Sequence, residues 1–238
     1  MKTEGRNAVT ELIRAGKNVD KLLMEKGAQG SLAIIFAEAR KKNIRVQFVD
    51  RRVLDKESES RRHQGVIAFT TDYEYYDLED IIAEKKSEKG GFVVLCDGIE
   101  DVHNLGSILR VCECAGVDGV VIPKAGGTSV TESVIRISAG AAEYMKVAKV
   151  PSLNAAIETL QKNGYWVYAL EAGDESVYEQ DFSGNVALVV GGEDSGVKRL
   201  TKEKCDKVIS LPLKGQVNSL NASVALGIAA YEVVRSRG

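Results

Sequence analysis

Leu211-Pro212-Leu213-Lys214-Gly215-Gln216-Val217-Asn218-Ser219-Leu220-Asn221-Ala222-Ser223-Val224-Ala225 is the stretch on which the reading of this chain turns. An apolar strand pattern, Val208 to Leu213, passes through a turn at Gly215 into a long apolar helix pattern, Ser219 to Arg235. Polar side chains stand where a helix entering a core would otherwise carry carbon. The first turn of a helix has N–H groups without intrahelical partners and the positive end of the helix dipole. Ser219 and Asn221 therefore read either as N-caps or as groups facing a negatively polarised ligand.

Two further polar islands follow apolar strand patterns. Asp97-Gly98-Ile99-Glu100-Asp101-Val102-His103-Asn104-Leu105-Gly106-Ser107-Ile108-Leu109-Arg110 comes after Phe92 to Cys96, and Gly191-Gly192-Glu193-Asp194-Ser195-Gly196 comes after Val186 to Val190. In open α/β sheets ligands bind outside the carboxyl ends of the strands, so the three islands are candidate walls of one pocket.

From Phe92 onward the chain alternates strand and helix. Val/Ile/Leu-rich strands are expected at Phe92–Cys96, Gly119–Ile122, Tyr165–Leu170, Val186–Val190 and Val208–Leu213, with helices at Leu105–Ala115, Thr131–Ala139, Ser152–Asn163, Lys198–Cys205 and Ser219–Arg235. Apolar strands of this kind are buried on both faces, which predicts a doubly wound parallel sheet. The front of the chain predicts a smaller α/β domain, with helices at Asn7–Ala15 and Ser31–Lys42, a short charged helix, and strands at Lys21–Glu25, Arg45–Val49 and Gly65–Phe69. The stretch to Gly91, with a short amphipathic piece around Leu78 to Ile82 and a polar run after it, reads as a flexible linker, giving domains over 1–72 and 92–238 with 73–91 between them.

The 238 residues, 44% hydrophobic and 28% charged, have the composition of a globular protein. No apolar run has the length of a membrane span and the first residues lack a secretory core, so no membrane association and a cytoplasmic location are expected. Four cysteines without a C-x-x-C pair and only two histidines predict no metal site and reduced thiols. Residues 1–70 carry 15 Lys+Arg against 9 Asp+Glu, whereas the rest carries 17 against 25. Within the basic front, Arg51, Arg52, Lys56, Arg61 and Arg62 crowd one short segment that could neutralise phosphates, although the acids interleaved with them also suit a solvated loop.

The glycine-rich island spells neither G-x-G-x-x-G nor a P-loop, and Ser195 is not in G-x-S-x-G. Asn104, Arg110, Glu193, Ser219 and Asn221 instead offer one cation, one carboxylate and neutral hydrogen-bonding groups. That inventory suits the positioning of reactants.

The three islands, in this order and spacing, resemble motifs 1, 2 and 3 of the SpoU (TrmH) family of RNA 2′-O-ribose methyltransferases. Motif 1 corresponds to Asp101 through Gly106 with Arg110, motif 2 to Gly191 through Gly196, and motif 3 to Leu211 through Ala225. Val102 stands where the family usually has Pro. The front domain resembles the family's ribosomal-protein-like substrate-binding domain, and the likeness is strongest to the RlmB subgroup, which methylates a guanosine ribose of bacterial 23S rRNA.

The resemblance implies a C-terminal α/β trefoil-knot (SPOUT) domain that binds S-adenosyl-L-methionine (AdoMet), and a homodimer formed through it. Gly191, Leu211, Gly215 and Leu220 would hold the cofactor, with Leu211 through Leu220 as the closing wall of its pocket. Asn104, Arg110, Glu193, Ser219 and Asn221 would surround the reacting ribose. Arg110, always protonated, would bind an RNA phosphate and stabilise the forming alkoxide while the phosphate or Glu193 takes the proton. The alternatives are a tRNA ribose methyltransferase, a non-catalytic RNA-binding ribosome assembly factor, and a metabolic α/β enzyme acting on a small substrate.

Overall fold

The computed structural model describes residues 2–15, 19–27, 29–58, 60–70, 73–85, 87–173, 175–193 and 195–238. Asp194 of the glycine-rich island, Glu59 of the basic run, and Thr71 and Asp72 at the expected domain boundary lie outside these residues. The chain forms two compact units, Met1–Glu74 and Tyr75–Gly238.

The first unit contains β1 (Lys2–Glu4), α1 (Arg6–Arg14), β2 (Val19–Glu25), α2 (Ser31–Lys41), β3 (Arg45–Val49), α3 (Arg51–Glu57) and β4 (Val66–Thr70). Its sheet runs β1-β4-β2-β3; β4 is antiparallel to both neighbours and β3 is parallel to β2. Side chains alternate across the pleat. Leu22, Met24, Val66 and Ala68 pack with Val9, Ile13, Leu32 and Ile35 of α1 and α2 on one face, while Leu23 and Ile67 pack with Leu54 of α3 on the other. β1 was not expected, because three residues are too few to show a period.

The second unit contains α4 (Leu78–Ala83), β5 (Phe92–Asp97), α5 (Val102–Cys114), β6 (Gly119–Pro123), α6 (Glu132–Ile137), β7 (Lys146–Val150), α7 (Leu153–Lys162), β8 (Tyr165–Leu170), β9 (Asn185–Gly191), α8 (Arg199–Lys204), β10 (Lys207–Ile209) and α9 (Ala222–Arg237). All six of its strands are parallel, in the order β10-β8-β9-β5-β6-β7. β7 was missed because its two lysines break the apolar run; a strand at the end of the sheet tolerates them, since beyond its pairing with β6 it is met only by a bridge from Tyr76. The stretch expected to be a linker behaves differently from Tyr75 on. Tyr76 makes a parallel bridge to Ala148, and Leu78, Ile81 and Ile82 of α4 are buried in the core of this unit.

Two helix starts also differ from expectation. α5 begins at Val102, not Leu105, because Asp101 caps it by accepting the His103 N–H at 2.8 Å. Asn104 is therefore inside the helix and is not its cap. α9 begins at Ala222 with Asn221 as its N-cap, so Ser219 lies outside the helix, and β10 ends at Ile209, short of Leu213. α9 lays Leu226, Ala229, Ala230 and Val233 into the core and packs on α5. Gly106 serves the other side of α5: a Cβ there would come within 2.6 Å of Ile137 on α6. Gly106 thus permits close helix packing.

Candidate functional site

A cleft of about 650 Å³ opens at the carboxyl ends of β8, β9 and β10, where an open parallel sheet is expected to hold ligands. Its walls are Leu170 to Gly173 after β8, Val190 to Gly196 after β9 (apart from Asp194), and Leu211–Leu213 with Asn218–Leu220 on the segment that leads into α9. Gly191, Leu211, Ser219 and Leu220 are thus brought to one cleft. Gly215 does not line it; it sits at an exposed bend with open space around its Cα.

The glycines of the β9 turn let the turn close on itself. A Cβ on Gly191 would fall 2.0 Å from the Gly196 carbonyl carbon, and the Gly196 N–H donates to Gly192 O at 2.8 Å. Gly196 takes a φ of +59°, and a Cβ there would overlap the Glu171 carboxylate. Two carboxylates from adjacent strand ends hold this turn from below. Glu171 accepts the Val197 N–H at 2.9 Å, and Asp97 accepts the Lys198 N–H at 3.0 Å and the Lys198 ammonium at 2.9 Å. The Asp97 side chain is only 2% exposed, so these donors are what make a buried carboxylate tolerable. Glu171 was not singled out from sequence. The signal used for the other islands, polar residues after an apolar strand, would have found Glu171-Ala172-Gly173 after Tyr165–Leu170.

At the mouth of the cleft, Asn221 joins all three islands. Its amide NH₂ donates to Asn104 Oδ1 at 2.8 Å and to Glu193 Oε1, while its Oδ1 accepts from Ser223 N at 3.0 Å and Val224 N at 3.3 Å. The cap and the polar network are therefore two ends of one side chain. Asn104 is buried; Glu193 and Ser219 are exposed, and neither Ser219 nor the second carboxylate oxygen of Glu193 has a hydrogen-bond partner among the described residues. Arg110 is exposed on α5, six residues beyond Asn104, and makes no hydrogen bond or ion pair among the described residues. Helical geometry turns it about 120° away from Asn104 around the helix axis, so it does not join the Asn221 network within this chain.

In the first unit, Arg51, Arg52, Arg61 and Arg62 are all exposed. Arg51 faces Glu25 at 3.8 Å. Arg61 has a φ of +57°, in the loop that leads to His63. The buried His63 ring accepts the Gly65 N–H at Nδ1, which leaves Nε2–H to donate to Asp55 at 2.9 Å. No group of three or more His, Cys, Asp or Glu among the described residues is arranged to hold a metal, and no described helix is long and apolar enough to cross a membrane.

Residues 91–231 match the family model described as SpoU rRNA Methylase, and residues 3–76 match that for RNA 2′-O ribose methyltransferase substrate binding. A protein of Staphylococcus saprophyticus assigned to the TrmH family of tRNA/rRNA methyltransferases is 43% identical over 236 residues, spanning 98% of this chain and 94% of its own length. The fold is similar to that of the SpoU methyltransferase AviRb from Streptomyces viridochromogenes, solved in complex with AdoMet. The TM-score is 0.62 and the identity 22%, across 100% of this chain and 90% of that one. The TrmH/SpoU tRNA modifying enzyme of A. aeolicus has a TM-score of 0.58 at 29% identity, over 67% of this chain and 82% of that one.

Proposed function

Because this chain belongs to the SpoU rRNA methylase family, we propose that it methylates a ribose 2′-hydroxyl of RNA with AdoMet, and that its substrate is a guanosine of 23S rRNA in the cytoplasm. The observation that carries this reading is the Asn221 network, which ties the three motif segments together at the mouth of the cleft. The cleft suits the cofactor. Its leucines offer apolar surface to an adenine ring, its turns expose backbone groups, and the Glu171 carboxylate on its wall complements a cationic ligand.

Bound AdoMet supplies a methyl group already activated on a sulfonium. The chain must orient the ribose and manage one proton. Asn221 fixes Glu193 through one carboxylate oxygen, leaving the other to accept the proton of the 2′-hydroxyl. Ser219, exposed on the cleft wall, hydrogen-bonds the ribose. Arg110, which does not reach the Asn221 network of its own chain, remains protonated and acts as a cation at the network of a second copy, gripping the neighbouring phosphate and stabilising the oxygen as it gains charge.

The residue 3–76 module favours ribosomal RNA over tRNA, with its exposed arginines as phosphate contacts. The tRNA modifying neighbour is matched over only two thirds of this chain. Strand order supports a knot: β9 inserts between β8 and β5, β10 lies outside β8, and the chain then returns across these strand ends to pack α9 on α5. A homodimer fits the outer face of α9. Val224, Ile228 and Tyr231 form an exposed apolar stripe at helical spacing, and Leu220, exposed just before the helix, also lines the cleft.

The test is methyl transfer from labelled AdoMet to a 23S rRNA transcript and to bulk tRNA, followed by nucleoside analysis. A 2′-O-methylguanosine in the rRNA is expected. Label in tRNA alone would reassign the substrate, and RNA binding without transfer would favour the assembly-factor reading.

A further inference from the structure

Beside the cleft, the carboxyl ends of β5, β6 and β9 meet around a single ammonium. Lys198 is 53% exposed, yet its position is set from beneath by the buried Asp97, which takes both its backbone N–H and its Nζ. An ammonium has three donors and Asp97 uses one; no other partner of Nζ occurs among the described residues. Two glycines with left-handed backbones flank it: Gly98 at φ +74° and Gly126 at φ +77°. A Cβ on either would lie 3.7 Å and 3.8 Å from the Lys198 nitrogen. The floor around the cation is therefore bare backbone, open to a ligand that side chains would otherwise hold off.

This spot adjoins the cleft, since a Cβ on the cleft-lining Gly192 would come within 2.6 Å of Gly98 O. Two residues before Gly126, Lys124 is exposed and its side chain has no partner among the described residues. The segment from residue 71 to the end is rich in acids, 25 against 17 bases, so an ammonium held open here stands against the charge of its own segment.

We propose that Lys198, assisted by Lys124, binds a phosphodiester of the RNA substrate next to the reacting nucleotide, with Gly98 and Gly126 as the floor of the site. The inference rests on the reading of the substrate as RNA. Lys198 suits the role because Asp97 has already restricted its long side chain, so little further conformational freedom is lost on gripping a phosphate. It is a positioning residue: it places the backbone of the substrate and does not touch the reacting atoms.

The experiment is filter binding of a 23S rRNA transcript to the full chain, with S-adenosylhomocysteine present, over a series of KCl concentrations. Lys198→Gln is expected to weaken binding by about threefold to fivefold and to lower the salt slope by about 0.7–0.9, the loss of one phosphate contact. Lys124→Gln should show a smaller effect of the same kind. Lys198→Arg should stay near wild type in affinity and slope. Lys162→Gln, the same charge change at the far end of α7, should not alter the slope.

Wild-type affinity and slope in Lys198→Gln would overturn the proposal. So would a parallel fall in AdoMet affinity and melting temperature, which would make Lys198 only the counter-ion of Asp97, and so would failure of the wild-type chain to bind the transcript. Binding with these slopes but without methyl transfer would leave the phosphate site standing and refute the methyltransferase reading instead.

Discussion

Asn221 shows why capping and catalysis need not compete at the scale of one residue. Its carbonyl oxygen satisfies the first N–H groups of α9 while its NH₂ holds Asn104 and Glu193. Asn221→Asp keeps the acceptor for the helix but puts a carboxylate against Glu193. It is expected to retain most of the thermal stability while methyl transfer falls on the order of 10²-fold. Asn221→Ala should lose both, with about 1 kcal/mol of cap stability gone in denaturant unfolding. Glu193→Gln keeps an acceptor for Asn221 and removes the base; calorimetry should show unchanged AdoMet binding with turnover strongly reduced. The thiols give an independent check. Burial first, then nearby carboxylates, pushes Cys96 and Cys205 up to about 12, whereas Cys114 is exposed. Native protein should show fast labelling at Cys114 alone. The buried Cys96 and the partly buried Cys205 hold their protons in the fold to higher pH than in the unfolded chain, whose thiols titrate near 9.0. Their stabilising contribution is complete below pH 9.0 and is lost as pH rises toward about 12, so the melting temperature should fall over that window.

Among the elements, long apolar strands and amphipathic helices were legible in the sequence, because burial on both faces imposes an apolar run and burial on one face imposes a period. What escaped was short, polar or set by a distant partner. β1 has three residues and β7 carries two lysines on an edge; α4 was visible as a short amphipathic piece, but the charges around it resemble a linker. The site divides in the same way. Polar islands at strand ends pointed to Asn104, Glu193 and Asn221, but the clamp on the β9 turn by Asp97 and Glu171 links residues up to 101 apart, and no local pattern reveals it. One glycine of the motif segments, Gly106, serves packing. Gly106→Ala should gain about 1 kcal/mol of helix propensity but force Ile137 aside at about 1–3 kcal/mol, so a net loss is expected in chemical denaturation. The end of α9 is fastened by Arg237, whose guanidinium donates to the carbonyls of Phe182, Gly90, Gly91 and Gly184. Arg237→Ala should cost about 2 kcal/mol, with hydrogen exchange rising first in the last turn of α9.

For the whole molecule, the sequence showed two α/β units from the change in charge and in strand pattern, but only resemblance suggested a knot, since general topology rules argue against one. The apolar stripe of α9 makes a prediction at this scale. Tyr231, 52% exposed, should be covered by a second copy. Tyr231→Asp is therefore expected to shift the protein from dimer to monomer in sedimentation, whereas a wild-type monomer would contradict the assembly. The central claim is chemical: the polar network at the cleft serves transfer of a methyl group to a ribose oxygen of ribosomal RNA. It is tested most directly by mapping 2′-O-methylation across the rRNA of cells with this protein, without it, and with its Asn221→Asp form. The expected result is one guanosine whose ribose methylation disappears in both altered strains; an unchanged ribose methylation map would contradict the account.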